Sequence, residues 1–277
     1  MTGLGDADGT RLAELAFEVL DSTPPTGDKA RLCPVPWTGN LETGDSRGSA
    51  YGDATSGVSI VKPARFPPGP DRDCRLCPRL AEFRDTWRAE EPTWHNAPVP
   101  TFGAPTARLL VVGLAPGLRG ANRTGRPFTG DYAGDMLYGT LIDFGFARGR
   151  FDARPDDGLE LVDAAVTNAV RCVPPQNKPT GPEIRTCRPF LIETIDAMPA
   201  LGAVLALGRI AHDSVVSILG VRKKDMPFGH GAVHVTDRGF ALHDSYHCSR
   251  YNTNTRVLTE SMFRDVFAGI RSRLDAV

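Results

Sequence analysis

The chain has 277 residues, 41% of them hydrophobic and 23% charged, and a formal net charge of −1. That length and balance fit a globular protein with a substantial core and exclude a highly charged, unfolded chain. No apolar run approaches the roughly eighteen residues that cross a bilayer, and the opening MTGLGDADGT lacks a basic region followed by an apolar core, so a cytoplasmic protein with no membrane partner is expected.

The charge is uneven. Residues 1 to 70 hold six Lys or Arg against nine Asp or Glu, a balance of −3 that leaves +2 for the remainder, a weak signal of a polyanionic partner. Leu12, Leu15, Ala16, Val19 and Leu20 lie on one helical face, predicting a short helix over Thr10 to Leu20. Glycine, proline and small polar residues then dominate from Ser22 to Pro70, predicting an extended arm. The chain thus divides into an N-terminal extension, 1–70, and a catalytic domain, 71–277. Leu80, Phe83 and Trp87 have helical spacing, and Glu91 to Pro105 reads as a proline-rich loop.

The central stretch is Leu109 to Leu141. An apolar run, Leu109 to Leu114, predicts a strand buried on both faces. Ala115 to Asp131 follows, with four glycines, two prolines and three arginines, a loop whose backbone can approach a ligand while its side chains meet a polyanion. Met136, Leu137, Leu141 and Phe144 then mark a helix. A second buried strand is expected over Leu161 to Thr167, ending in Asn168. Thr180 and Glu183 have capping-box spacing, with Pro182 in the first turn of the next helix. Further strands are expected over Ala203 to Leu207, near Ala232 to Val235, and over Phe240 to Leu242 ending at His243. A helix stopping at Gly220 follows the first of these, and the apolar stripe Met262, Phe263, Val266, Phe267, Ile270 and Leu274 predicts a C-terminal helix. This alternation of strand and helix predicts an α/β protein, a three-layer α/β/α sandwich with a mostly parallel central sheet of about four strands.

Six cysteines are present. Cys74 and Cys77 are two residues apart, Cys172 and Cys187 fourteen apart, with 94 residues between the pairs. Four thiolates could close a zinc site or hold a 4Fe-4S cluster, and the wide second gap sits more comfortably around the larger group. The alternative is four unrelated buried thiols. Cys33 and Cys248 are left without a role.

Three segments carry a resemblance to a known family. GLAPGLRGANRTGRPFTGD (Gly113 to Asp131), TNAVRCVPPQNKPT (Thr167 to Thr180) and HDSYHCSRYNTNTRVLT, opening at His243, resemble the family 5, or type b, uracil-DNA glycosylases, which contain iron and sulfur. The resemblance covers Pro70 to the C-terminus. It implies an α/β/α fold, a 4Fe-4S cluster on Cys74, Cys77, Cys172 and Cys187, and removal of uracil, and of other deaminated bases such as hypoxanthine, from double-stranded DNA by base flipping, with the protein acting as a monomer. Two departures stand out: His-Asp-Ser where relatives commonly show His-Pro-Ser, and Ala115 where many superfamily enzymes carry a polar, water-activating side chain.

Within that resemblance, Phe128 is expected to stack on the flipped base and Asn168 to read its edge, with Gly113 and Ala115 lining the pocket. His243 is expected to stabilise the departing base anion, and Asp131, with Asn122 as a second polar group, to orient water or stabilise the cationic sugar. Asp131 could also cap the following helix. Arg119, Arg123, Arg126, Arg250 and Arg256 are expected on DNA phosphates, and Tyr246 or Arg250 in the gap left by the base. Two other classes fit the cysteines alone: an iron-sulfur redox protein, and a non-catalytic nucleic-acid-binding module.

Overall fold

The computed structural model describes residues 65–276. The expected helix over Thr10 to Leu20, most of the following arm, and Cys33 lie outside the described residues. In chain order the elements are α1 (Pro78–Glu90), β1 (Phe102–Gly103), β2 (Leu109–Gly113), α2 (Ala121–Thr124), α3 (Tyr132–Asp143), β3 (Ala147–Arg148), β4 (Glu160–Leu161) and β5 (Ala164–Asn168). The 3-10 turn Pro175–Asn177 leads to α4 (Gly181–Asp196), β6 (Ala203–Leu207), α5 (Arg209–Leu219), β7 (Val233–Val235), β8 (Ala241–Ser245), α6 (Arg250–Asn254) and α7 (Glu260–Asp275).

The main sheet has six strands in the order β1-β5-β2-β6-β8-β7. Its four interior strands are mutually parallel and buried at every position; β2 and β6 carry no polar side chain, whereas β5 ends in Thr167 and Asn168 and β8 in His243, Asp244 and Ser245. All four are among the strands the sequence predicts, as is the edge strand β7, although the sheet has six strands where about four are expected. The two edges are short and antiparallel; β1 falls in the segment expected to be loop, its two residues being too few to leave a periodic signal.

One sheet face, with Leu109, Val111, Val166 and Leu205, packs on Leu137 and Leu141 of α3 and on Phe263, Phe267 and Ile270 of α7. The other, with Leu110, Val112, Val204 and Leu242, packs on Leu191 and Ile195 of α4 and Val215 and Val216 of α5. The chain leaves β2 through α3 for β5 on one side, then returns through α4 to β6 on the other. Because crossovers are right-handed, that reversal puts α3 and α4 on opposite faces and opens a crevice at the carboxyl ends of β2 and β5.

Two strand boundaries differ from expectation. The strand expected from Leu161 is interrupted at Asp163, whose carboxylate accepts hydrogen bonds from the backbone N (2.9 Å) and Nε (2.9 Å) of Arg108; this bend separates β4 from β5. The last interior strand runs on to Ser245, which leaves His243 at its centre. The capping box at the start of α4 forms, with Thr180 and Glu183 each bonding the other's backbone. Among the described residues, no helix is long and apolar enough to cross a membrane.

Candidate active site

Gly113 and Asn168 end adjacent strands in register. A Cβ at Gly113 would lie 2.4 Å from Asn168 Oδ1 and 2.5 Å from Phe128 Cζ, so only glycine lets the amide and the phenyl ring meet over the strand end. Phe128 has a left-handed backbone (φ 53°) and a buried ring. Its carbonyl presses against Gly134 of α3, where a Cβ would fall 2.0 Å from it.

Asp131 caps α3: Oδ1 accepts from Gly134 N at 3.1 Å. Oδ2 points at the Gly117–Gly120 turn, 3.4 and 3.3 Å from where side chains would begin. Burial raises this carboxyl's pKa, the bond from Gly134 opposing the rise and the charge of Asp135 adding to it. The residue as a whole is exposed, and water on its open side favours the carboxylate.

The imidazole in this crevice belongs to His247, two residues beyond β8. Its ring stacks on Phe128, centroids 6.0 Å apart and planes 28° apart. Desolvation pushes its pKa down to about 4, so it is neutral at pH 7. Its loop is fixed from both sides: Asn252 Nδ2 donates to the His247 carbonyl (2.8 Å), and the fully buried Cys248 donates its S–H to Ala133 O (3.4 Å).

The expectation for His243 is corrected. Strand alternation turns its side chain under α7, in a pocket with Met262, Asp265 and Val266, where it is 3% exposed and Nε2 has no hydrogen-bond partner. The sequence contains the pattern His-x-Ser twice, at His243 and at His247, and the strand end selects the second. With that register, the residue standing where relatives commonly have proline is Cys248.

Asn122 is also corrected. It is 1% exposed and its Nδ2 donates to Asn96 Oδ1 (2.8 Å), while the Asn96 N–H donates to the Asn122 carbonyl (3.0 Å); the pair ties two loops together. Arg126 is not on the surface: it forms a fork with Asp157 at 2.9 and 2.6 Å, both side chains buried. Arg119, Arg123, Arg250 and Arg256 are exposed, in the two loops flanking the crevice. Tyr246 is half-buried and stacks on His230 (5.1 Å), whereas Arg250 lies over the Tyr132 ring (5.6 Å) at the surface. Ala115 packs on the cysteine group and makes the join between it and the crevice.

Cys74, Cys77, Cys172 and Cys187 line one apolar cavity with Leu80, Val170 and Phe190, and all four are free thiols. Burial pushes Cys77 up to about 11 and Cys172 up to about 12, with repulsion from the neighbouring thiolates adding to it. Two buried arginines border the cavity. Arg84 Nη1 lies 3.8 Å from Cys172 Sγ, and the Arg171 backbone N donates to Cys187 Sγ at 3.3 Å. Both guanidinium Nε atoms lack hydrogen-bond partners, the Arg84 one lying 4.0 Å from Asp85 Oδ1, and burial lowers Arg171 to about 10. Four thiolates around a metal centre would form a net negative group, which is what two desolvated cations require. The residues present therefore fit such a group.

An amide and a stacked aromatic–imidazole pair thus gather around the glycine that ends β2 of an α/β/α sheet, with a carboxylate on the loop that carries the ring, an arrangement that can stack on and hydrogen-bond a planar polar ligand. The uracil DNA glycosylase superfamily model matches residues 100–271. Over 200 residues the chain is 45% identical to the type-5 uracil-DNA glycosylase of Thermus thermophilus, covering 70% of this chain and 90% of the relative. The Pyrobaculum aerophilum type-5 enzyme is 39% identical over 198 residues, 70% of this chain and 86% of that one. A type-4 uracil-DNA glycosylase from Sulfurisphaera tokodaii is 30% identical over 200 residues, covering 70% of this chain and 78% of the relative. The chain belongs to the uracil DNA glycosylase superfamily, whose named members are hydrolases acting on N-glycosyl bonds.

Gly113→Ala is expected to lower the rate of base release by about 100-fold, because it displaces both the amide and the ring by about an ångström. Overpacking would lower stability by about 1–3 kcal/mol. Single-turnover rates and a denaturant titration on the same preparation separate the two effects.

Proposed function

We propose that this protein removes uracil from double-stranded DNA, leaving an abasic site, and that it acts in the cytoplasm as a monomer with a 4Fe-4S cluster on Cys74, Cys77, Cys172 and Cys187. The observation that supports the reading best is the convergence of Asn168 and Phe128 on Gly113, with His247 stacked on Phe128, in a chain of this superfamily.

Extruding a nucleotide from the stack costs a few kcal/mol. Stacking on Phe128, worth about 1–3 kcal/mol per base, offsets much of it. Asn168 donates to one edge atom of uracil and accepts from its neighbour, a pattern cytosine does not present. As the glycosidic bond lengthens, negative charge grows on the base and positive charge on the sugar. His247, neutral and held close, donates a hydrogen bond to the base where the anion develops. Asp131 Oδ2 faces the Gly117–Gly120 turn and orients the water that attacks the sugar, or stabilises the cationic sugar; its other oxygen stays on the helix cap. Arg119, Arg123, Arg250 and Arg256 contact phosphates and fix the register, and Arg250, the exposed member of the candidate pair, fills the gap in the stack. The cluster would supply cross-links joining α1, α4 and the loop after β5; cytoplasmic reducing conditions keep its thiols available. The same pocket admits other deaminated bases with a carbonyl edge, hypoxanthine among them.

The test is base release from a duplex oligonucleotide holding one uracil, scored by alkaline cleavage. Wild-type protein is expected to cleave, and Asn168→Ala to be about 10- to 100-fold slower, the value of one or two buried hydrogen bonds. Protein with iron bound that releases no base from single- or double-stranded substrate would overturn the reading.

A further inference from the structure

Toward the β7 edge of the sheet, opposite the β5 side that leads to the cysteines, three residues from three elements face one another. His212 of α5 and Asp244 of β8 are fully buried, and His234 of β7 is largely so. His212 Nδ1 lies 2.7 Å from Asp244 Oδ1, His234 Nε2 lies 3.6 Å from Asp244 Oδ2, and the three ligand atoms fall within 4.8 Å of one another.

An imidazolium–carboxylate pair accounts for His212 and Asp244. It leaves His234 Nε2 buried beside the same carboxylate with no hydrogen-bond partner. A dication would complete the set. Ligand atoms on a tetrahedral zinc ion, with bonds of about 2.0–2.1 Å, stand about 3.3 Å apart, so closing the three atoms, now within 4.8 Å of one another, onto one ion takes only a small side-chain movement. The surroundings match what metal-bound histidine needs. His212 Nε2 is 2.9 Å from the Met226 carbonyl, so donating there would leave Nδ1 as the ligating atom, and Asp244 Oδ2 also accepts from Gly229 N at 3.4 Å.

We propose that His212, His234 and Asp244 bind one divalent transition-metal ion, for which this nitrogen and oxygen set favours zinc. The site is separate from the cysteines and does not depend on the glycosylase reading. Its role is to hold an edge. The ion would fasten β7 and the Phe228–Ala232 turn to α5 and β8, and that turn supports Tyr246 through the His230 stack, next to the loop bearing His247.

The experiment uses the full chain with its iron in place, treated with EDTA, given zinc(II) and desalted, with zinc and iron measured on the same sample. Wild-type protein is expected to retain one zinc per chain with iron unchanged, and to unfold roughly 5–10 °C higher with zinc a hundredfold above its dissociation constant. His234→Gln, on the least buried of the three, is expected to keep its iron and lose both the zinc and the thermal response. His212→Asn supplies a second variant should the first fail to fold. Three results would overturn the proposal: wild type that retains no zinc, variants that retain as much as wild type, or zinc gained only as iron is lost, which would place it on the thiols.

Discussion

Replacing His247 with alanine is expected to lower the rate of uracil release by about 10²–10³-fold, while His243→Ala stays close to wild type. Only His247 stacks on Phe128, and only its loop is tied to α3 through Cys248 and to α6 through Asn252. His243 lies inside β8 beneath α7, so its loss would leave a small cavity, visible as reduced stability and not as a slower chemical step. The pH profile adds a second check. With the His247 pKa pushed down to about 4 by desolvation, the ring stays neutral from pH 6 to 8, and base release should show no step there from its titration. A step near pH 6.5 that disappears in His247→Ala would show a solvated ring and sink the assignment.

Arg126→Met is expected to destabilise the protein by about 3–5 kcal/mol, because it leaves the Asp157 carboxylate buried without its cation. Asp157 also accepts from the backbone N of Asp152 (2.9 Å) and of Leu159 (3.0 Å), so the charge anchors the loop between β3 and β4. The guanidinium further lies 5.3–5.5 Å from the ring centroids of Phe102, Tyr138 and Phe151, contacts that methionine keeps only as packing. The double variant Arg126→Met with Asp157→Asn should recover part of the loss, since neither charge remains. Acid sensitivity gives the sign. Arg126 holds the Asp157 carboxyl well below the ordinary range; the pair's stabilisation is therefore present above the unfolded-state pKa of about 4 and is lost as pH falls toward the depressed folded value. Without Arg126 there is no such stabilisation to lose, so the gap between wild type and Arg126→Met should narrow as pH falls from about 7 to about 3. Denaturant midpoints measured between pH 3 and 7 follow it, and an unchanged midpoint at pH 7 would show the pair to be dispensable.

The centre of the sheet is legible because β2 and β6, buried on both faces, are apolar runs: Ala203 to Leu207 is found as expected, and β2 to within a residue. The C-terminal stripe likewise becomes the buried face of α7. The two-residue β1 and the bend at Asp163 are set by a cross-chain hydrogen bond and a charge pair, partners more than fifty residues away that no local pattern encodes. The site divides in the same way. Phe128, Asn168 and Asp131 sit where strand ends and a helix cap put them, so spacing reaches them. Choosing between His243 and His247 depends on where β8 stops, and a shift of a few residues exchanges a core imidazole for a site imidazole. Arg126 looks like its neighbours Arg119 and Arg123 in sequence; its burial follows from Asp157, 31 residues on.

The order in which the site is made follows from the position of β8. Phe128, Asp131 and Asn168 leave the ribosome early, whereas β8 is the last interior strand and must enter between β6 and the edge strand β7, made before it. The helix that then closes one sheet face, α7, comes later still. A nascent chain translated as far as α5 holds Asn168 and Phe128 but neither His247 nor a complete core. Competence for catalysis therefore arrives only once β8 and α7 have joined the fold.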